Sequence, residues 1–290
     1  MPPATDGRDL FSKQADVYAK YRPDYPDEFI QRIVSAAPGR TLAWDVGTGN
    51  GQAAASLAKY FDRVVATDRS ATQIEHAQQR DNITYKVTEP NMTWEDVERT
   101  VGPAGSVDLI TVAQALHWFD FDEFFALAKK ALRPGGVFAA WTYTPPEQVT
   151  PEVDAVSAAF YKITGPYWET ARKITPDIDA VSDRYYQTTG PFWNPRVKYI
   201  EEGYATIPFP FVPVDGRDST GPFPFETSKH WKYEDLIGYY KTWSPYNTAK
   251  EKGIDLLAPV EDELKAAWGD PQTERKVTWP LLLRIGKVED

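Results

Sequence analysis

The feature that most constrains this chain is a regular alternation of short apolar runs with helical stretches from residue 41 onward. The apolar runs are Thr41–Val46, Val64–Thr67, Ile83–Val87, Val107–Val112 and Val137–Trp141. The stretches between them that carry apolar residues at helical spacing are Gln52–Tyr60, Ala71–Gln79 and Phe121–Leu132. Strands that alternate with helices form βαβ units, so the pattern predicts an α/β fold with a doubly wound, mostly parallel sheet. In such a sheet the ligand crevice lies at the carboxyl ends of the strands.

After Tyr143 the alternation stops, and the chain is rich in proline, glycine and aromatic residues before regular patterns return. We predict an N-terminal helical lid over residues 1–35 and a ligand-binding core over residues 36–145. A helical, aromatic-rich cap insertion is expected over residues 146–230, and C-terminal helices with a strand that completes the core over residues 231–290.

The predicted cap contains an internal repeat. The tetrapeptide Asp154–Ser157 returns as Asp179–Ser182, and Gly165–Trp168 returns as Gly190–Trp193 at the same offset. Because two copies are too few for a solenoid, the repeat predicts a duplicated helix–turn unit within the cap.

Composition argues against several classes of function. The net charge of -10 disfavours nucleic-acid binding, which needs a basic face. The absence of cysteine excludes disulfides and thiolate catalysis, and His76, His117 and His230 form no close pair, so we expect no metal site. The N-terminus has no apolar signal segment and no apolar run is long enough to span a membrane. We therefore expect a cytoplasmic monomer or homodimer without membrane contact.

The strongest local signal is the turn Asp45-Val-Gly47-Thr-Gly49-Asn-Gly51, which follows an apolar run and opens a helical stretch. Glycines permit positive φ angles and let backbone N–H groups approach a ligand closely. The sixth position counted from Gly47 is Gln52, so the spacing disfavours a NAD dehydrogenase, and no Lys-Ser/Thr follows as in a phosphate-binding loop. An acid just before the first glycine suits a ligand that carries a positive charge.

A second acid, Asp68, stands at the end of the next apolar run. A carboxylate at that place can accept both hydroxyls of a ribose. A strand-end aspartate can also cap a following helix, here Ser70–Ala77. Taken together, in this order and at this spacing, the two acids predict a nucleoside ligand.

With these motifs, residues 10–143 resemble the class I S-adenosylmethionine (SAM)-dependent methyltransferases. The resemblance covers the glycine-rich turn, the ribose-binding segment, the fourth-strand motif and the turn before the fifth strand. These segments are Asp45–Gly51, Ala66–Ser70, Ser106–Phe119 and Leu132–Val137. It implies a Rossmann-like, seven-stranded type of sheet, SAM as cofactor, S-adenosylhomocysteine (SAH) as product, and no metal.

Three further segments are similar to a narrower group within that superfamily. They are Tyr18–Pro26, Gln114–Trp118 and Thr242–Ser244. The group includes trans-aconitate methyltransferases and related fungal enzymes that esterify small carboxylic acids. This similarity implies a small-molecule substrate and a carboxyl O-methyltransferase of the kind used in secondary metabolism.

The resemblance implies two sets of site residues. The cofactor-binding set is Tyr18, Asp45, Gly47, Gly49, Asp68, Arg69, Asn91, Met92 and Gln114. The substrate-binding set, chosen for its rings, is Tyr21, Trp118, Trp141, Tyr143 and Trp243. Asn91 stands where relatives often carry an acid near the adenine, and its side-chain carbonyl can still accept from the adenine amino group.

Methyl transfer from a sulfonium mainly requires alignment and exclusion of water. A carboxylate acceptor is already ionised and needs a cation, for which Arg22 is the candidate, although Arg22 can equally hold the carboxylate of SAM or pair with an aspartate. A phenol or amine needs a general base, for which His117 is the candidate, although a lone histidine is more often structural. The open alternatives are a natural-product O-, N- or C-methyltransferase and a SAM-binding fold reused as a cyclase or regulator.

Overall fold

The computed structural model describes residues 21–89, 91–144, 149–164, 196 and 198–289. Its strands are β1 (Leu42–Val46), β2 (Arg63–Asp68), β3 (Ile83–Val87), β4 (Val107–Ala113), β5 (Leu132–Tyr143), β6 (Phe223–Trp231) and β7 (Arg275–Lys287). The α-helices of the described chain are α1 (Asp27–Ala36), α2 (Gln52–Leu57), α3 (Ala71–Glu75), α4 (Trp94–Thr100), α5 (Phe121–Ala131), α6 (Pro151–Thr164), α7 (Lys198–Glu201), α8 (Tyr233–Lys241), α9 (Ser244–Glu251) and α10 (Glu261–Trp268).

The strands form one seven-stranded sheet in the order β3-β2-β1-β4-β5-β7-β6. The first five strands pair in parallel, and β7 runs antiparallel to β5. The predicted fold class, a doubly wound and mostly parallel sheet of the methyltransferase type, is therefore confirmed. The strand order reverses between β1 and β4, which places the ligand crevice at the carboxyl ends of these two strands.

Burial explains why the central strands read as continuous apolar runs. Every residue of β1 is buried, and β4 is buried from Val107 to Val112, because helices cover both faces of a parallel sheet. Helix α5 begins at an Asp120 cap, whose side chain accepts from the backbone N–H of Glu123, and it buries Phe124 and Phe125. The strand predicted within residues 231–290 is also confirmed, as β7.

Strand β6 corrects one expectation, because it occupies the end of the segment predicted as a helical cap. Its residues alternate between inward and exposed positions, as period-two structure requires. Pro222 and Pro224 hid this pattern in the sequence. Proline is tolerated here because β6 is an edge strand, and Pro224 is exposed. Helix α4 was likewise not predicted.

Several predictions fall wholly or partly outside the described residues. The first twenty residues of the predicted lid, including Tyr18, belong to this group. So do the second copy of the first repeated tetrapeptide, Asp179–Ser182, and both copies of the other, Gly165–Trp168 and Gly190–Trp193. The first copy, Asp154–Ser157, lies in α6, which confirms the helix predicted for it. Within α6, Val153 and Phe160 are fully buried.

The chain forms two compact units. The unit that we call the core unit comprises Asp24–Thr144, Glu202–Thr227 and the residues from Pro280 onward. The cap unit contains the described residues among 21–23 and 149–201, together with Ser228–Trp279. Across the described ranges, no helix combines the length and the apolar character needed to cross a membrane.

Asp108 connects three strands of the core unit. Its carboxylate is fully buried and accepts from the backbone N–H groups of Thr41 and Leu42, each at 2.9 Å. Its other oxygen lies 3.0 Å from a guanidinium nitrogen of Arg133. One side chain on β4 therefore holds both the start of β1 and the start of β5.

We predict that Asp108→Ala lowers the free energy of unfolding by about 3–5 kcal/mol. The variant leaves a partly buried arginine and two backbone N–H groups without their acceptor. The matched control is Asp215→Ala, since Asp215 pairs with Lys287 while its side chain is 94% exposed. We expect the control to lose less than about 1 kcal/mol. Urea unfolding curves measure both, and equal losses in the two variants would contradict this role for Asp108.

Candidate functional site

The glycine turn after β1 is shaped by three positive φ angles. Gly47, Gly49 and Gly51 have φ of 65°, 56° and 81°. A Cβ at Gly47 would lie 2.6 Å from that of Ala115, and one at Gly51 would lie 2.2 Å from the hydroxyl of Tyr85. At Gly49 the nearest atom, Oε1 of Gln73, would be 3.9 Å away, an ordinary van der Waals separation, so this glycine is the least crowded of the three. Gly49 is thus the position at which a ligand can approach the backbone.

Asp45 lies beneath this turn and is fully buried. One carboxylate oxygen accepts from the hydroxyl of Thr111 at 2.6 Å and the other from the hydroxyl of Thr48 at 2.5 Å. Burial raises the pKa of Asp45 to about 6, and the two hydroxyls oppose that rise. The carboxylate therefore orders the turn, and its ionisation responds to charge nearby.

Asp68 joins the turn after β1 to the end of β2. One of its carboxylate oxygens accepts from the N–H of Gly49 and the other from the N–H of Ser70, each at 2.8 Å. The helix cap that was an alternative for Asp68 belongs to Ser70, whose side chain accepts from the N–H of Gln73. Burial raises the pKa of Asp68. Because each carboxylate oxygen has two lone pairs, Asp68 retains acceptor capacity for the hydroxyls of a ligand.

The carboxyl ends of β3 and β4 expose apolar surface. Among the large apolar side chains of the described residues, Val87 at the end of β3 is 54% exposed, and Trp118 beyond β4 is 38% exposed. Arg69 and Asn91, both exposed, and the half-buried Met92 follow β2 and β3 at the same edge. An exposed tryptophan and valine at the crevice are suited to contact a planar base or an apolar substrate.

Two buried side-chain donors lie near the ends of β4 and β5. Within the described ranges, Gln114 Nε2 and Trp141 Nε1 are both buried and have no acceptor. Gln114 follows β4 directly, and its Oε1 accepts from the hydroxyl of Thr142 at 3.1 Å. Trp141 and the buried Tyr143 are among the last three residues of β5. Unpaired buried donors are costly, so an acceptor group on a ligand is expected at this edge.

His117 is buried in a short 3-10 turn after β4, with an exposure of 2%. Its Nδ1 lies 3.2 Å from the hydroxyl of Tyr204, and its ring lies 4.6 Å from that of Trp118 between centroids. Burial raises the pKa of Tyr204, so the phenol is neutral near pH 7.

The remaining candidates belong to the cap unit. A guanidinium nitrogen of Arg22 donates to the carbonyl of Thr242 at 3.2 Å, and the guanidinium lies 5.5 Å from the centroid of the Tyr239 ring. The Tyr21 ring fills the space that a Cβ at Gly238 would need. Trp243 is buried among rings that include Tyr239.

The structure thus gathers at one edge of the core unit the predicted residues that lie in that unit. They are Asp45, Gly47, Gly49, Asp68, Arg69, Asn91, Met92, Gln114, His117, Trp118, Trp141 and Tyr143. Sequence reasoning missed Thr48, Thr111, Tyr85, Val87, Thr142 and Tyr204. Thr48 could have been found from its place inside the glycine turn, whereas Tyr204 carries no local signal.

Comparison with known proteins agrees with this geometry. A family model for the methyltransferase domain matches residues 44–140. The chain is 32% identical to a methyltransferase of Dictyostelium discoideum, and the match covers 100% of this chain and 98% of that protein. The chain belongs to the class I SAM-dependent methyltransferases.

Two other relatives cover nearly the whole chain. Methyltransferase pgmE of Aspergillus terreus is 27% identical over 92% of this chain and 91% of that protein. The solved structure of a type II methyltransferase from Anaeromyxobacter dehalogenans is 35% identical, with a TM-score of 0.72, over 93% of this chain and 100% of that chain. These relatives support SAM-dependent methyl transfer without specifying an acceptor, so the similarity to trans-aconitate methyltransferases stays a prediction.

The residues of this methyltransferase fit SAM. Gly49 is open to close approach, Asp68 retains acceptor capacity beside it, and Gln114 presents a buried donor at the neighbouring strand end. We expect Asp68 to hold the ribose, while the charge of Asp45 favours the cationic end of the cofactor.

We predict that Asp68→Ala weakens SAH binding at least tenfold. The variant leaves ribose hydroxyls and the Gly49 amide without an acceptor, at about 1–3 kcal/mol for each group. The control is Asp62→Ala, which removes an exposed carboxylate just before the other end of β2. Isothermal titration calorimetry measures both affinities, and an unchanged dissociation constant for Asp68→Ala would refute the ribose assignment.

We predict that SAM binding releases protons near pH 6. The raised pKa of Asp45 leaves this carboxyl group partly protonated there, and a cationic ligand favours the ionised form. The affinity for SAM should therefore rise from about pH 5 to about pH 7 as the group ionises. SAH lacks the sulfonium charge and should release fewer protons.

Calorimetry in buffers of different ionisation enthalpy counts the protons released. Asp45→Asn cannot ionise, and it should bind SAM without the buffer-dependent heat that the wild type shows. If the wild type and Asp45→Asn released the same number of protons, Asp45 would not be the group that responds.

Proposed function

We propose that this enzyme transfers the methyl group of SAM to the carboxylate of a small organic acid and so forms a methyl ester. The observation that carries the proposal is the buried amide donor Nε2 of Gln114, which follows β4 directly and has no acceptor within the described ranges. Such a site favours a ligand rich in acceptor oxygens, and a carboxylate supplies more acceptor lone pairs than a phenol or an amine does.

His117 fits a positioning role better than that of a general base. Its ring is buried, and its Nδ1 lies beside a neutral phenol. A general base gains strength when a carboxylate at the opposite ring nitrogen stabilises the imidazolium, and a neutral hydroxyl supplies much less of this stabilisation. Since a carboxylate acceptor is ionised at neutral pH, this proposal requires no base.

Arg22 is the proposed partner of the substrate carboxylate. The guanidinium is planar and can donate two parallel hydrogen bonds to a carboxylate. Its contacts with Thr242 and Tyr239 hold the side chain in one orientation within the cap unit. A pre-ordered arginine loses less conformational entropy when it binds an anion.

When bound, SAM supplies a methyl group that a carboxylate oxygen displaces from sulfur in line, and SAH leaves without any proton transfer. The chain has to align the acceptor and keep water away from it. We propose that the aromatic residues Trp118, Trp141, Tyr143, Tyr21 and Trp243 serve the second task. The lid predicted over residues 1–35, with Tyr18, remains part of this proposal.

A labelled-methyl transfer screen over di- and tricarboxylic acids, aryl acids and phenols tests this function. We expect label in an acid product that mild base hydrolyses, together with one SAH for each product molecule. A base-stable product would indicate methylation at another atom. Turnover without SAH would indicate a reused fold.

Arg22 and His117 separate the two leading functions. With a carboxylate substrate, we predict that Arg22→Ala lowers kcat/KM by about 2–5 kcal/mol of transition-state stabilisation, because it removes a charged hydrogen bond in a dry site. His117→Asn should retain substantial activity, and the rate should not fall as the pH drops through about 6.5, the usual range of histidine. A phenol or amine substrate should give the reverse pattern.

The affinity for SAM must be measured in the same variants, since Arg22 can bind the cofactor carboxylate instead. Arg99→Ala is the control, because Arg99 is an arginine with a 72% exposed side chain on α4. Arg22→Ala with normal SAM affinity and full turnover would remove Arg22 from carboxylate recognition.

A further inference from the structure

Two residues of the described chain share an uncommon backbone conformation. Gln114 and Tyr204 have φ of 60° and 62°, and they are the non-glycine residues with positive φ among those described. The left-handed region is unfavourable for bulky side chains, and such residues persist only where the surrounding structure holds them. Although 90 positions apart in sequence, the two belong to one buried polar cluster of the core unit, which also contains Thr142 and His117.

Tyr204 is held in this conformation by β7. The buried guanidinium of Arg284 donates to the carbonyl of Tyr204 at 2.6 Å and lies 4.4 Å from the centroid of the Phe209 ring. A Cβ at the preceding Gly203 would lie 2.5 Å from a side-chain carbon of Leu282. The backbone at 203–204 is therefore packed closely against β7, which fixes the position from which the Tyr204 side chain extends.

The Tyr204 hydroxyl connects the other members of the cluster. It lies 3.2 Å from Nδ1 of His117. Hydrogen bonds with the backbone at Leu116, with the side chain of Thr142 and with the backbone at His117 oppose the rise in its pKa that burial causes. Thr142 in turn donates to Oε1 of Gln114 at 3.1 Å. Tyr204 itself is fully buried. Two hydroxyls in series thus lead from Tyr204 to the amide of Gln114.

This arrangement determines which end of the Gln114 amide faces a ligand. Because Oε1 is occupied by Thr142, the amide nitrogen remains as the donor, and it is buried without an acceptor in the described part of the chain. We propose that Tyr204 is a positioning residue of the methyl-transfer site, and that its hydroxyl acts through Thr142 to aim Nε2 of Gln114 at a carboxylate oxygen of a bound ligand.

Two ligands at this site carry such a carboxylate, namely SAM, through its methionine part, and the acceptor acid. If the ligand is the acceptor acid, the inference rests on the proposed carboxylate function. If the ligand is SAM, it needs only the family assignment. If Gln114 binds SAM, loss of the Tyr204 hydroxyl should change the affinity for SAH. If Gln114 binds the acceptor acid, the loss should change kcat/KM while the affinity for SAH stays constant.

The test is Tyr204→Phe, which removes one hydroxyl and keeps the ring. The control is Tyr233→Phe, because Tyr233 is also a buried tyrosine, and its hydroxyl donates to the carbonyl of Glu261 at 3.0 Å in the cap unit. SAH affinity is measured by calorimetry, and kcat and KM are measured with whichever acceptor the wild type methylates. We expect Tyr204→Phe to weaken SAH affinity or kcat/KM by roughly 5- to 50-fold, and the control to change neither by more than about twofold.

A double-mutant cycle with Gln114→Ala separates positioning from a general structural effect. If Tyr204 acts through Gln114, the loss caused by Tyr204→Phe should shrink to less than about twofold in the Gln114→Ala background. Equal losses in both backgrounds would overturn the proposal, as would a Tyr204→Phe enzyme with unchanged SAH affinity and unchanged kcat/KM. A product that is not an ester would contradict the proposed carboxylate function. The double-mutant cycle would still test the role of Tyr204 with the acceptor that the enzyme methylates.

Discussion

The carboxylate of Asp68 makes the hydrogen bonds on which the rest of the site depends. By accepting from the N–H of Gly49, it holds the turn after β1 against the end of β2. Parallel strands bring their carboxyl ends to one edge, but they do not order the loops that follow. Asp68 orders one of these loops from a neighbouring strand. The same carboxylate is then in place to accept from a ligand, so the architecture and the binding chemistry share a group.

The buried carboxylate of Asp45 is the necessary counterpart of this arrangement. A fully buried acid is unfavourable unless hydroxyls or amides donate to it, and Thr48 and Thr111 do so. These bonds connect the glycine turn to β1 and β4, the two strands between which the sheet order reverses. The turn therefore lies over a buried acid, and Gly49 is its least crowded glycine. This combination suits a cationic nucleoside better than a pyrophosphate.

The parts of the fold with a clear period were predictable. The first five strands were found because their apolar runs are short and are separated by helical patterns, and β7 was found from its apolar run. Strand β6 was not found, since its segment is rich in proline and was predicted as part of a helical cap, and its edge position makes the prolines tolerable.

The same distinction holds for the site. Glycines and strand-end acids carry a motif in sequence, so Gly49 and Asp68 could be named in advance. Thr142 and Tyr204 could not, because their importance comes from contacts with Gln114 and His117 that only the folded chain creates. Long-range polar contacts of this kind leave no periodic or local signature, and Tyr204 is separated by 87 positions from His117.

Hydrogen–deuterium exchange of the whole chain with and without SAH tests the central claim most directly, since it needs neither a substrate nor a variant. The account predicts slower exchange in the peptides that cover residues 45–51, 68–73 and 112–118, because ligand binding suppresses local opening around the ordered turn and the neighbouring strand ends. Peptides at the amino ends of the same strands, such as those covering residues 39–42, should change little. Binding of SAH with protection elsewhere and none in the first three peptides would contradict the account.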